Sequence, residues 1–276
     1  MSPVMKEFIA PAWQKTFQKQ ALNFDRLWGL ELPVVDTANI GRGRDGWSEV
    51  CMLVVGLLDG DEKRLILKRQ KNHLTRTLLH PFRGIPTAEK ELRNILHFKR
   101  LGIPTVEPVY FAKRRTSDGI RAILITEYLE GYRTLEEFVN TWQDEGWPKP
   151  SERNQIIRAI ASLAGKIHRK GFQYNCLYPK HLLITRSKDA VLVRLIDLEK
   201  NKWRPLGDKR RIRDLETLLR RSQGWTQADR IRFLTAYFGI RRLDGRAKRL
   251  CRKVLTHHQK KLRTRNHSNS HNPKYH

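Results

Sequence analysis

The spacing of apolar residues changes near residue 130, from a pattern typical of strands to one typical of helices. Residues 50–58 and 65–68 are two apolar runs joined by a short Asp/Gly-rich turn, which predicts a β-hairpin. Residues 106–111 and 122–128 form a second pair of apolar runs around a turn. The first part of the chain is therefore expected to contain antiparallel strands.

One helix is predicted within this first part. Thr87 is placed to cap it, and a long basic loop at 71–86 precedes it. Its apolar stripe consists of Leu92, Ile95 and Leu96. Helix residues turn by about 100° each, so Glu91 lies on the same inward face as Ile95, while Glu89 points nearly opposite.

Helical spacing dominates from Thr134 onward. A strong helix is predicted at 151–171, followed by a hairpin of short strands at 182–184 and 191–196. Further helices are predicted at 212–221, 227–237 and, with one basic and one apolar side, after 243. The predicted organisation is an N-terminal unit at 1–130, a helical unit at 131–265 and a disordered basic tail at 266–276.

The chain is strongly basic. Its 276 residues include 55 Lys and Arg against 28 Asp and Glu, a formal net charge of +27. Such an excess attracts nucleic acid, an anionic membrane face, or phosphorylated or acidic sugars; a general surface bias is the alternative. Cys51, Cys176 and Cys251 are far apart in sequence, which predicts a reducing compartment and no zinc site.

A cytoplasmic location is expected, with peripheral association at the inner membrane as a further option. No apolar run approaches the ~20 residues that span a bilayer, and the N-terminus lacks the features of a signal peptide. Residues 1–30 carry several aromatic side chains among lysines. Packing of these aromatics onto the first unit is preferred over contact with a membrane surface.

Two features of the first part could bind phosphate. Gly41, Gly43 and Gly46 form a glycine-rich turn that opens a strand, so their backbone N–H groups could lie over phosphates; an ordinary flexible turn is the alternative. Lys68 ends an apolar strand, and a Lys68–Glu91 pair would hold the ammonium in place. A surface lysine is the alternative for Lys68 taken alone.

The second part offers a metal ligand. Asp197 ends an almost wholly apolar strand, so a buried scaffold would fix its carboxylate. Mg²⁺ prefers oxygen ligands of this kind. A turn aspartate is the alternative, and Glu199 is either a further ligand or solvated.

Six short segments, in this order, carry a resemblance. They are RGRDGWSEV at 42–50, LILKRQKNH at 65–73, PTAEKEL at 86–92, LYPKH at 177–181, IDLEK at 196–200 and RDLETL at 213–218. Together they resemble the lipopolysaccharide kinase family (the Kdo and heptose kinases, WaaP-like), and most closely its InaA-type branch. The resemblance implies an α+β, two-lobed protein-kinase-like fold that uses ATP and Mg²⁺.

The resemblance also implies roles for individual residues. Three glycines would cover the nucleotide phosphates, Lys68 would bind them, and Glu91 would orient Lys68. The backbone from Glu127 to Leu129 would meet adenine. The three glycines of that loop are Gly41, Gly43 and Gly46. His181 and Asp197 would be metal ligands, and Lys180 would lie beside the transferring phosphoryl group. Asp214 would brace the catalytic loop.

One position departs from the family pattern. Cys176 stands where kinases carry the catalytic aspartate, and a thiol with a pKa near ~8.5 does not replace a carboxylate base. Phosphoryl transfer depends mainly on positioning and charge, so an active kinase and a nucleotide-binding pseudokinase both remain open. The expected acceptor is an anionic glycolipid of the lipopolysaccharide core. Nucleic-acid binding is disfavoured, because no recognised binding motif is present.

Overall fold

The computed structural model describes residues 5–40, 46–77, 80–187, 190–222 and 224–270. Contacts within the chain divide it into two compact units, Met1–Glu130 and Gly131–His276. Gly41 and Gly43 of the predicted glycine loop lie outside the described residues, whereas Gly46 is buried at the start of a strand.

The first unit is built on an antiparallel sheet. Its strands are Glu7–Ile9 (β1), Val34–Ile40 (β2), Trp47–Gly56 (β3), Glu62–Lys71 (β4), Leu74–Thr77 (β5), His80–Pro86 (β6), Pro108–Thr116 (β7) and Gly119–Glu127 (β8). Its α-helices are Gln14–Lys19 (α1), Phe24–Gly29 (α2) and Thr87–Arg100 (α3). Among the described residues, the main sheet has the order β1-β7-β8-β4-β3-β2. Both predicted hairpins are present, as β3 with β4 and as β7 with β8.

The expected basic loop at 71–86 is wrong: this stretch contains a small hairpin. β5 and β6 pair antiparallel, with Leu74 opposite Pro86 and Thr75 opposite Ile85. The many charged and polar side chains suggested a loop, but Thr and Ile favour extended backbone. The hairpin is tied to the following helix, since the Thr87 N–H donates to the His73 carbonyl (2.9 Å).

The N-terminal aromatic segment packs onto the first unit, as predicted. Its Trp13, Phe17, Phe24 and Leu27 are at most 4% exposed. They share a core with alternate residues of the central strands, namely Leu53, Val55, Leu65, Leu67, Ile123 and Ile125. Burial of each such side chain contributes about 1.5–3 kcal/mol, so this segment is an integral part of the unit.

Alternation along β4 gives the sheet two different faces. Leu65, Leu67 and Arg69 face the N-terminal segment, and Arg69 donates to the backbone carbonyls of Trp28 (2.7 Å) and Leu30 (2.8 Å). Successive strand residues point to opposite faces, so Lys68 and Gln70 face α3 instead.

The N-cap of helix α3 lies one residue earlier than predicted. Pro86, rather than Thr87, is the N-cap residue, and its side chain cannot accept a hydrogen bond. The Gln70 side chain from β4 supplies the missing acceptor: its Oε1 accepts from the Ala88 N–H (2.9 Å) and from the Thr87 hydroxyl (2.9 Å). A residue distant in sequence therefore caps the helix.

The second unit is mainly helical. Its α-helices are Leu135–Glu145 (α4), Pro150–Arg169 (α5), Lys209–Arg221 (α6), Gln227–Phe238 (α7) and Gly245–Ser270 (α8). Its strands are Arg133–Thr134 (β9), Phe172–Gln173 (β10), Leu182–Arg186 (β11), Val191–Leu195 (β12) and Lys202–Trp203 (β13). Short 3₁₀ turns occupy Pro11–Trp13 in the first unit and Pro179–His181 and Leu198–Lys200 in the second.

Helix α5 forms the centre of this unit. The predicted apolar face is buried, including Ile156, Ile160 and Ile167 at 1% exposure or less. The preceding helix α4 starts with a capping box, in which Thr134 and Glu137 exchange hydrogen bonds. The predicted central hairpin is present, since β11 and β12 pair antiparallel.

Helix α8 extends further than expected. It runs to Ser270, so residues 266–270 are helical where disorder was expected. Adding residues to an existing helix avoids the cost of nucleation, which explains how a polar stretch continues α8. The observed mixture of an antiparallel sheet unit and a helical unit agrees with the expected α+β class.

Candidate functional site

Lys68 and Glu91 form the predicted ion pair within the first unit. The Lys68 Nζ lies 2.8 Å from Glu91 Oε2, and the side chains are 18% and 9% exposed. Strand β4 positions the lysine and helix α3 positions the glutamate. The lysine is thus fixed at one end of its side chain while part of its surface stays accessible, as a phosphate-binding lysine requires.

The segment expected to contact adenine follows directly from the sheet. Glu127 ends β8 opposite Leu65, and its N–H donates to the Glu107 carbonyl (2.9 Å). Its carboxylate lies 3.3 Å from the Trp13 indole nitrogen. The N-terminal segment therefore holds this part of the chain in place, and Leu129 follows two residues later.

Asp214 braces the loop that leads to Cys176. From helix α6, its carboxylate accepts the N–H groups of Tyr174 (2.7 Å) and Asn175 (2.9 Å). His168 of α5 lies 3.1 Å from the same carboxylate, and its other ring nitrogen is 2.7 Å from the Tyr237 hydroxyl. The bracing role that the family resemblance implied for Asp214 agrees with this geometry.

The same loop is tied to the strand that carries Asp197. The Tyr174 hydroxyl donates to the Ile196 carbonyl, and the Asn175 side-chain amide donates to the Lys200 carbonyl (2.8 Å). Asn175 itself has a positive φ of 64°, which asparagine tolerates better than most residues. The loop and the residues around Asp197 are therefore one connected structure.

Asp197 has a strained backbone. Its φ and ψ are 58° and 60°, the left-handed region, which costs a non-glycine residue of order 1–3 kcal/mol and is found most often at functional sites. It lies two residues after the end of β12, and its side chain is 24% exposed. A carboxylate oxygen held in this way can coordinate a cation.

Cys176 is buried and neutral. It is 0% exposed, and burial raises the pKa of its thiol well above the usual value, with the Asp197 carboxylate raising it further. A thiol in this state does not act as a general base at neutral pH. The departure seen in the sequence is therefore a real chemical difference from an aspartate.

His181 faces Asp197 from the 3₁₀ turn Pro179–His181. Its Nδ1 lies 3.1 Å from the Cys176 carbonyl oxygen, which can only accept, so Nδ1 carries a proton. Its Nε2 lies 3.6 Å from Asp197 Oδ2. A metal-binding histidine typically uses one ring nitrogen for the metal and donates the other to a carbonyl or carboxylate.

The side chains present fit Mg²⁺ in part. Mg²⁺ binds oxygen, and usually takes only one or two protein carboxylates together with waters and phosphates. Asp197 supplies such an oxygen. The imidazole of His181 and the thiol of Cys176 are softer ligands that suit other metals better.

Lys180 lies beside His181 and is exposed. In the described part of the chain its ammonium makes no ion pair. Its exposed side chain can meet an anionic group from solvent.

Sequence reasoning missed the supporting residues. Gln70, His168 and Tyr237 were not singled out. Gln70 caps the helix that carries Glu91, His168 contacts Asp214, and Tyr237 contacts His168. His168 carried a usable signal, because it is a polar residue on a buried helix face. Gln70 carried no such signal, because its partner, the Ala88 N–H, belongs to a different element of the fold.

None of the helices that the structure describes is long and apolar enough to cross a bilayer.

Comparison with protein families gives one match that covers most of the chain. The lipopolysaccharide kinase (Kdo/WaaP) family matches residues 25–237. Protein InaA of Escherichia coli (strain K12) is 27% identical over 192 residues, which are 67% of this chain and 82% of InaA.

A second relative is named lipopolysaccharide core heptose(I) kinase WaaP, from Pseudomonas aeruginosa. It is 31% identical over 177 residues, which are 61% of this chain and 63% of WaaP, so the match spans less than two thirds of that protein. A solved structure, WaaP in complex with acyl carrier protein, has a TM-score of 0.67 and 22% identity, covering 94% of this chain and 99% of WaaP. This likeness confirms the predicted fold class.

Proposed function

The chain belongs to the lipopolysaccharide kinase (Kdo/WaaP) family, and from that premise we propose that it is an ATP- and Mg²⁺-dependent phosphotransferase. The acceptor in this proposal is a sugar hydroxyl of the lipopolysaccharide core. The relative named WaaP is described as a kinase of core heptose, which makes the core the first substrate to test.

The Lys68–Glu91 ion pair carries the proposal. A lysine on a strand, held 2.8 Å from a helix glutamate, is the arrangement by which kinases keep an ammonium at the phosphates of ATP. Removing both groups from water costs free energy, and a pair on the surface does not carry this cost. A fixed, partly accessible ammonium provides a functional reason for that cost.

The other nucleotide contacts follow the same pattern. Gly41, Gly43 and Gly46 would cover the phosphates with backbone N–H groups, and the backbone from Glu127 to Leu129 would bind adenine. Asp197 would hold Mg²⁺ through its carboxylate. When bound, that ion neutralises charge on the phosphates during transfer.

The chain's own residues can support transfer without a carboxylate at position 176. Asp214 holds the loop through two N–H groups, which fixes the position of the residues that follow. Lys180 is exposed and can stabilise negative charge on the transferred group. Loss of a positioned base typically slows transfer by about 10²–10⁴-fold, so a slow enzyme is expected.

Exposed apolar side chains after Asp197 suit an amphiphilic acceptor. In the second unit, Trp203 is 67% exposed and Leu206 is 87% exposed, and Lys202 and Arg204 alternate with them. Tryptophan and basic residues together favour the boundary between lipid and water. An acidic glycolipid offers both an apolar part and negative charge to this segment.

The small hairpin of the first unit has a similar character. Phe82 is 90% exposed, and Arg76 and Arg83 are exposed nearby. Each basic residue near an anionic membrane contributes about 1 kcal/mol of attraction. We include peripheral contact with the cytoplasmic face of the inner membrane in the proposal. Acyl carrier protein, the partner in the solved WaaP complex, is a further candidate partner.

A transfer assay tests the proposal. The full chain is incubated with MgATP labelled in the γ-phosphate and with core glycolipid, and label in the glycolipid is measured. We expect slow transfer that is abolished in Lys68→Met and increased in Cys176→Asp. No transfer by either the wild type or Cys176→Asp would contradict the enzymatic proposal.

A nucleotide-binding pseudokinase with a regulatory role is the second candidate. The buried, neutral thiol of Cys176 favours it, since no catalytic carboxylate stands at that position. Binding of MgATP without transfer in the wild type, together with transfer by Cys176→Asp, would support this candidate.

A further inference from the structure

Three different ligand types meet inside the second unit. A ring nitrogen of His181, the sulfur of Cys176 and a carboxylate oxygen of Asp197 all lie within 4.8 Å of one another. Cys176 is 0% exposed and His181 is 8% exposed. A cluster of buried thiol, buried imidazole and partly exposed carboxylate differs from the all-oxygen sites that Mg²⁺ prefers.

The cluster is oriented for coordination. The bond from His181 Nδ1 to the Cys176 carbonyl turns the other ring nitrogen, Nε2, towards Asp197, at 3.6 Å from Oδ2. Zn²⁺ bonds of about 2.0–2.3 Å place tetrahedral ligand atoms about 3.3–3.8 Å apart. The His181–Asp197 separation already falls in that range, and the Cys176 sulfur lies within 4.8 Å of a His181 ring nitrogen and an Asp197 carboxylate oxygen.

We propose that Cys176, His181 and Asp197 form a binding site for a divalent transition metal, with Zn²⁺ as the first candidate. Three protein ligands leave a fourth position for water or a ligand, as in zinc sites that are not purely structural. A metal–sulfur bond forms as the thiol proton leaves to solvent, and no atom changes its oxidation state. In such a site Cys176 would act as a metal ligand, although it cannot act as a catalytic base.

The proposed site differs from the expectation drawn from the cysteine spacing. Wide spacing of the three cysteines predicted no zinc site, because the usual signal is a pair of cysteines close in sequence. The fold instead combines one cysteine with a histidine and an aspartate from neighbouring loops. Thiolate and imidazole favour Zn²⁺ over Mg²⁺, so these three side chains together would bind Zn²⁺ more tightly than Mg²⁺.

The site does not depend on nucleotide, so it can be tested apart from kinase activity. The full chain, freed of metal by a chelator, is titrated with Co²⁺ in the absence of ATP. We expect a near-ultraviolet charge-transfer absorption from a thiolate–cobalt bond, which added Zn²⁺ removes and an equal concentration of Mg²⁺ does not.

Matched variants identify the ligands. Cys176→Ser should abolish the absorption, while Cys51→Ser and Cys251→Ser should keep it. His181→Asn leaves the thiol in place and should weaken Zn²⁺ binding by at least about 10-fold in calorimetry, with circular dichroism confirming that each variant is folded. Unchanged absorption in Cys176→Ser, equal displacement by Mg²⁺, or unaltered Zn²⁺ affinity in His181→Asn would overturn the proposal.

Discussion

At the scale of single residues, the sequence predicted pairs that follow from periodicity. Glu91 was placed opposite Lys68 because the turn of α3 and the end of an apolar strand both pointed inward, and the two side chains are 2.8 Å apart. Gln70 could not be predicted as a cap in the same way. Its role depends on where β4 lies against α3, which no local pattern encodes.

Replacing Gln70 by leucine tests that cap. The change leaves the Ala88 N–H without its acceptor and removes one of the two partners of the buried Thr87 hydroxyl, the other being His73 Nδ1 at 2.6 Å. We therefore expect a loss of about 1–3 kcal/mol in the free energy of unfolding. Urea denaturation followed by circular dichroism measures it. Gln18→Leu, at an exposed position, should change stability by no more than about 0.5 kcal/mol; similar effects of both changes would contradict the capping role.

At the scale of elements, helices with strong apolar periodicity were predicted within a few residues, as α5 shows. The β5–β6 hairpin was missed because its strands are only 4 and 7 residues long and show no regular apolar alternation. Helix α8 was predicted, but its extension to Ser270 was not. Pairing between strands decides the first case and continuation of an existing helix decides the second, and neither can be read from local composition.

Close packing of α5 against α7 makes a second prediction. A Cβ added at Gly165 would lie 2.8 Å from the Tyr237 carbonyl oxygen and 2.9 Å from Arg169 Nη1. Alanine normally stabilises a helix interior by about 1 kcal/mol over glycine, but this clash should reverse the sign. We expect Gly165→Ala to lower the melting temperature.

Gly29→Ala is the control, because a Cβ there meets nothing within 4 Å. It should leave the melting temperature unchanged or raise it slightly. An increase in Gly165→Ala as well would show that the two helices separate easily and would contradict the packing argument.

At the scale of the whole molecule, a net charge of +27 makes each buried carboxylate a point of attachment for basic elements. Glu216 of α6 is fully buried, 3.1 Å from Arg220 Nε and 3.3 Å from His258 Nδ1 of α8, and it also accepts from Lys261. Burial is the largest effect and acts to raise the pKa of Glu216, but the hydrogen bonds from Lys261 and His258 and the charges of Lys261 and Arg220 together outweigh it and hold the pKa below its usual 4.5.

A carboxylate with a lowered pKa binds fewer protons in the folded state, so its contribution to stability rises with pH. The contribution is complete above the unfolded pKa of about 4.5 and is lost as the pH falls through the lower folded pKa. We expect urea denaturation of the wild type to show a fall in stability from pH 6 to acid. Glu216→Gln should be less stable at pH 6 and show a smaller fall; an equal fall in both proteins would exclude this linkage.

The central claim is that this family member binds nucleotide through Lys68 and Asp197. The most direct test of it is a measurement of the affinity for MgATP. Calorimetry on the full chain compares the wild type with Lys68→Met, Asp197→Asn and a control, Lys99→Met, which removes an exposed lysine paired with Glu107. Loss of one charge-assisted contact worth about 1.5–3 kcal/mol predicts weakening by about 10–100-fold in each of the first two variants and little change in the control. Wild-type affinity in both Lys68→Met and Asp197→Asn would contradict the account.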